Sequence, residues 1–212
     1  MGHRALVAYE RPDELYNLHY SHNGGLHLRL KRELTSRTPF GGEKPNTRQE
    51  LLAELLKSTD STDTIVEGFL GADDRPQTAV DLKPKATRLT KDEIITEYLN
   101  YASSEAFYVV SSEFDVTAYR VHWFGLHHVA DTAEASPLRG HGALRTIRWY
   151  NSEPVGDGFV QGEFKTLKRI TGDLLDRGVF THEEAITYLK QNLVAWTDER
   201  AELIIRTSSV SH

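Results

Sequence analysis

The sequence predicts an α+β fold: a mostly antiparallel or mixed sheet with helices packed against it, and a helical hairpin near the C terminus. Three observations predict it. Short alternating segments follow one another without strict strand–helix alternation, which favours antiparallel neighbours over a doubly wound parallel sheet. Three capping boxes, Asn46 with Gln49, Thr90 with Glu93 and Thr181 with Glu184, each precede an apolar stripe at helical spacing. Two long stripes late in the chain are separated by a short link that starts at Gly178, so their helices lie antiparallel.

Arg4–Tyr9 is short, apolar and β-prone, and Arg11-Pro12-Asp13-Glu14 supplies a turn. Leu15–His22 alternates, with Tyr16, Leu18 and Tyr20 on one side and Asn17, His19 and Ser21 on the other. Together they read as a hairpin with one apolar and one polar face. Over residues 26–34, Leu26, Leu28 and Leu30 alternate as in a strand, while Leu26, Leu30 and Leu34 also fit a helix; a third meander strand is expected. Thr35–Pro45 reads as loop. The stripe Leu51, Leu52, Leu55 and Leu56 marks a helix, residues 58–63 a loop, and Thr64–Phe69 a short strand. Asp73–Ala86, polar and with Pro76 and Pro84, reads as a connection.

Ile94, Ile95, Tyr98 and Leu99 mark the next helix. Ala106–Val110 and Phe114–Trp123 are the strongest strands, the second with Thr117, Tyr119, Val121 and Trp123 on one face. Gly125–Gly142 reads as a long loop with three histidines, and Ala143–Tyr150 as a strand. Val160, Phe164, Leu167, Ile170 and Leu174 keep helical spacing despite Gly172; Ile186, Leu189, Leu193 and Trp196 form the last stripe. Ala201–Arg206 closes the chain as a strand. Residues 1–212 are expected to make one α+β domain.

Composition narrows the functional classes. With no cysteine, disulfides and thiolate-ligated zinc or iron–sulfur centres are excluded, which fits a reducing cytoplasm. No apolar run follows a basic start, so no secretory leader is expected, and no stretch reaches the ~18 apolar residues of a membrane span. A formal net charge of −6 argues against a dominant electrostatic grip on nucleic acid. The phosphate-cradling glycine motifs, the GxSxG elbow and HExxH are all missing. In His182-Glu183-Glu184 the two carboxylates suit the positive end of a helix dipole.

Histidine, ten in 212 residues, is the unusual feature. His19, His122 and Asp115 are the candidate acid–base residues. A carboxylate beside an imidazole tunes a base, and a hairpin beside the 114–124 strand would bring His19 to His122. His122, His127, His128 and His141 are the candidate ligands for a divalent metal, because neutral imidazole is a common ligand. Adjacent His127 and His128 do not both face one ion easily, and dispersed surface histidines are the alternative. Arg29, Lys31, Arg32 and Arg37 form a basic run near Tyr16, Tyr20 and Phe40, the pattern of a single-strand nucleic-acid grip through residues 27–37. Trp123, Trp149 and Trp196 are core residues by default; exposed together they would mark a partner-binding patch.

The opening Met1-Gly2-His3-Arg4-Ala5-Leu6-Val7-Ala8-Tyr9-Glu10, with Tyr16-Asn17-Leu18-His19-Tyr20-Ser21-His22, resembles a group of uncharacterised proteins of haloarchaea or their viruses, a domain of unknown function. The resemblance implies a source and no activity, cofactor or catalytic residue. The same hairpin resembles the start of N-terminal-nucleophile hydrolases, but Gly2 offers no nucleophile. The expected function is a non-enzymatic binding or assembly module acting on a protein partner or a second copy. A histidine-dependent hydrolase, with or without a divalent metal, is the alternative, and a nucleic-acid-binding protein the second alternative. No other cofactor and no membrane association are expected.

Overall fold

The computed structural model describes residues 2–42, 45–58, 62–69 and 78–207, with the backbone alone at 45–47. In chain order the elements are β1 (Ala5–Glu10), β2 (Tyr16–Ser21), a 3-10 turn (Leu26–Leu28), α1 (Leu30–Glu33), α2 (Pro45–Lys57), α3 (Thr62–Phe69), β3 (Ala86–Leu89) and α4 (Lys91–Glu93). A π-helical turn (Ile94–Tyr98), β4 (Ala106–Val110), β5 (Val116–Trp123), β6 (His141–Thr146), β7 (Arg148–Tyr150) and β8 (Glu153–Val155) follow. Then come α5 (Asp157–Asp176), α6 (His182–Trp196) and β9 (Leu203–Thr207). The fold is α+β. A mixed seven-stranded sheet has the order β3-β2-β1-β4-β5-β6-β9, and β7 and β8 form a separate two-stranded sheet. No helix among the described residues is long and apolar enough to cross a membrane.

The chain divides into two compact units. The first holds Met1–Ile94 and Ser104–Ala118. Here β1 pairs antiparallel with β2 and parallel with β4, so both of its edges are satisfied, and Ala5 to Tyr9 are all buried, as in a strand covered on both faces. The polar side of β2 is buried too. Asn17 and the buried Arg11 donate to the carbonyl oxygen of Leu55, and Arg11 also reaches that of Ser58. These side chains satisfy carbonyls left open at the end of α2.

The second unit holds Ile95–Ser103 and Tyr119–His212. Its β5, β6 and β9 form an antiparallel ladder. Phe164 and Leu167 of α5, Ala185, Ile186, Leu189 and Leu193 of α6, and Phe124, Leu126 and Ala143 share one apolar core. The Thr181–Glu184 capping box is present in full, as is that of Thr90 and Glu93. Gly178, at φ 69°, ends the α5 segment with amide bonds from Gly178 to Leu175 and from Val179 to Leu174.

Gly172 has a packing reason. A Cβ there would stand 2.4 Å from the carbonyl oxygen of Val129, a backbone atom with little freedom to retreat. Gly172→Ala therefore destabilises the protein by about 1–3 kcal/mol, despite alanine's better helix propensity. Denaturant unfolding checks this, and a stabilised variant contradicts it.

Four expected elements differ, among them Ala143–Tyr150, which is not one strand: β6 ends at Thr146 and β7 belongs to the other sheet. Residues 26–33 are helical turns, not a meander strand, with buried Leu28 and Leu30 on the inner side. Thr62–Phe69 is a helix, not a strand, with Val66 turned inward. His141 and Gly142 begin β6 rather than ending a loop. Helix α2 starts at Pro45. The Asn46 side chain lies outside the described residues, and the Gln49 amide donates to the Ser36 carbonyl. Residues 59–61 of the expected loop and 73–77 of the expected connection also lie outside them.

Candidate functional site

The β5–β6 register sets Arg120 against Arg145 and His122 against Ala143, and the Phe124 amide bonds to the His141 carbonyl. Alternation then puts Arg120, His122 and Phe124 on one face with His141, Ala143 and Arg145. Helix α5 covers this face: the Phe164 ring lies 4.6 Å from His122 and 6.4 Å from Phe124, and Phe124 meets His141 edge-on at 5.9 Å. This face is buried, with Arg120, His122 and His141 all enclosed.

Each buried polar group has a different solution to its desolvation. Arg120 makes a two-pronged ion pair with Asp157 at the first turn of α5, and Gln161 also donates to Asp157. Arg145 donates to the Trp196 carbonyl. His122 stays neutral: burial, aided by the charges of Arg145 and Arg120 against Asp157, pushes it down to about 3. His141 is pushed down to about 4 by burial and by the charges of His182, Lys190 and Lys168. Neither ring nitrogen of His141 has a hydrogen-bond partner among the described residues.

The two helices bring cations to this end of the sheet. Lys168 of α5 lies 4.9 Å over the Trp123 ring, and burial lowers its ammonium to about 8. Lys190 of α6 donates to Thr207, the β9 residue paired with His141. The His127 and His128 rings lie 4.0 Å apart, tilted to each other, and both meet the Trp123 ring at steep angles. Burial, then the charges of His128 and Lys168, lowers His127.

The other sequence candidates lie in the first unit. His19 is fully buried, edge-on to Tyr9 and beside Phe40; its Nδ1 bonds the Asp81 carbonyl and burial lowers it to about 4. Its strand β2 pairs with β1 and β3, and β1 pairs with β4, so the hairpin does not neighbour β5 and the condition for bringing His19 to His122 is not met. The Asp115 amide bonds Ser111 Oγ, and the Asp115 carboxylate faces half-buried Lys31. Arg29 pairs with Glu33, while Arg32 and Arg37 are exposed, so the basic run is partly neutralised. Among the described residues no group of three or more histidines or carboxylates is placed to hold a metal ion.

Sequence reasoning missed Lys168, His182, Lys190, Arg145 and the Arg120–Asp157 pair. One signal was present: the spacing Arg120, His122, Phe124 puts two basic groups on the same strand face as an aromatic residue.

The outer side of the helical hairpin is different in kind. Between α5 and α6 lies an open groove of about 500 Å³ lined by Phe159, Leu167, Ile170, Tyr188 and Trp196, with Glu163 among its few charged atoms. Phe159 is 69% exposed and Ile170 50%. Trp196 is half-buried there, whereas Trp123 is buried in the unit.

No curated protein and no solved structure matches the chain. A family model does, over residues 1–205, and the chain belongs to that family, described as a family of unknown function (DUF6735).

Proposed function

We propose that this chain is a non-catalytic assembly module that pairs with a second copy of itself through the outer face of α5 and α6. The observation that carries the reading is the apolar groove with Phe159 and Ile170 projecting beside it. Contiguous exposed apolar surface of this kind costs solubility unless something covers it. A second copy suits it because the same surface offers both a projecting aromatic ring and a recess. A two-fold interface needs that self-complementarity. Joining two such hairpins makes a layer of four helices, a packing that apolar helix faces favour.

The large aromatic and aliphatic groups that line the groove are the expected anchors. Phe159→Asp and Ile170→Glu each weaken self-association by about 30-fold or more, read by light scattering over a dilution series. Both side chains are largely exposed in one copy, so the far-ultraviolet dichroism of the variants stays that of the parent. Variants that associate as tightly as the parent contradict the reading.

A further inference from the structure

We propose that the second unit holds a binding site for a compact phosphate-like oxyanion, with Lys168, His141 and His182 as its ligands and Lys190 and His127 at its margin. The site is distinct from the α5–α6 groove and rests on different observations.

Its geometry comes from three elements. Strand β6 supplies His141, which is 5% exposed, and neither of its ring nitrogens is partnered. The β6–β9 register places Thr207 beside it, and Lys190 of α6 reaches that hydroxyl at 3.2 Å. On α5, Lys168 follows one turn after Phe164, whose ring packs against Phe124 beside His141, and the Lys168 ammonium stands over the Trp123 indole. His182, at the start of α6, adds a buried Nδ1 with no partner among the described residues. Donors thus approach the neighbourhood of His141 from both helices and from the sheet.

Its electrostatics are one-sided. The charges acting on His141 come from His182, Lys190 and Lys168, and those acting on His127 from His128 and Lys168, without an acidic group in either set. Among the described residues no carboxylate pairs with Lys168. The buried Arg120, by contrast, has its counter-charge in Asp157. A half-buried ammonium beside unpartnered imidazoles is costly on its own, because buried charge and unmade hydrogen bonds both oppose folding. An oxyanion supplies the missing negative charge and several acceptor lone pairs at once. A metal ion does not fit, since the ammonium groups would repel it.

The test titrates the whole chain with inorganic phosphate at constant ionic strength, following binding by calorimetry and the histidine ring resonances by NMR. Saturable binding is expected, with the His141 and His182 resonances shifting and those of His19 and His3 unmoved. Lys168→Met is expected to weaken binding by about ten-fold or more, and Lys168→Arg to retain most of it. The proposal is overturned if no saturable binding occurs, if all histidines shift together as for a general salt effect, or if Lys168→Met binds as the parent does. The ring resonances of the unmodified chain decide the matter even if a variant fails to fold.

Discussion

Replacing Asp157 with alanine lowers the free energy of unfolding by about 3–5 kcal/mol, the largest effect expected of any single substitution in the second unit. Both side chains of the Arg120–Asp157 pair are almost wholly removed from water, at 3% and 8% exposure. The Coulomb attraction and the two parallel hydrogen bonds offset the desolvation only while both partners are present. Without the carboxylate, the guanidinium keeps its charge, because arginine does not deprotonate in proteins. Asp157 also lies in the first turn of α5, where a negative charge favours the helix dipole. Urea unfolding measures the loss. A double variant, Arg120→Met with Asp157→Leu, is expected to recover most of it, since an apolar pair leaves no buried charge. A loss below about 1 kcal/mol for Asp157→Ala contradicts the account of this pair.

Stability falls steeply on acidification from about pH 6.5 toward pH 4, because buried histidines are held neutral. Burial pushes His19 to about 4 and His122 to about 3 in the folded state, both below the ordinary value of 6.5. The sign follows from proton counting. Below pH 6.5 the unfolded chain takes up protons at these rings that the folded chain refuses, so protons favour unfolding. The stabilisation is complete above the unfolded value and is lost as the pH drops toward the folded one. Each ring forfeits on the order of 3 kcal/mol by pH 4. Urea unfolding across this range reads the slope, and His19→Gln and His122→Gln each flatten it. Slopes unchanged in both variants contradict the prediction.

Local signals in the sequence were reliable where the physics is local. The Thr90–Glu93 and Thr181–Glu184 boxes and Gly178 act within a few residues of themselves, so they could be read directly. Residues 26–34 and 64–69 are ambiguous in sequence because short apolar runs fit either periodicity, and β-branched Thr64, Ile65 and Val66 favour strands intrinsically. Tertiary burial of Leu28, Leu30 and Val66 decided them. The site failed for a related reason. A polar strand face normally reads as solvated, and nothing near Arg120 in sequence announces Asp157, 37 positions away. Likewise, Gly172 looks like a weak point in a helix until Val129 is placed against it.

The proposed interface between copies is the outer face of α5 and α6. Sedimentation equilibrium of the parent chain over a wide concentration range tests this most directly. The predicted result is a reversible species of twice the 24.0 kDa chain mass. A mass of 24.0 kDa at every concentration contradicts it.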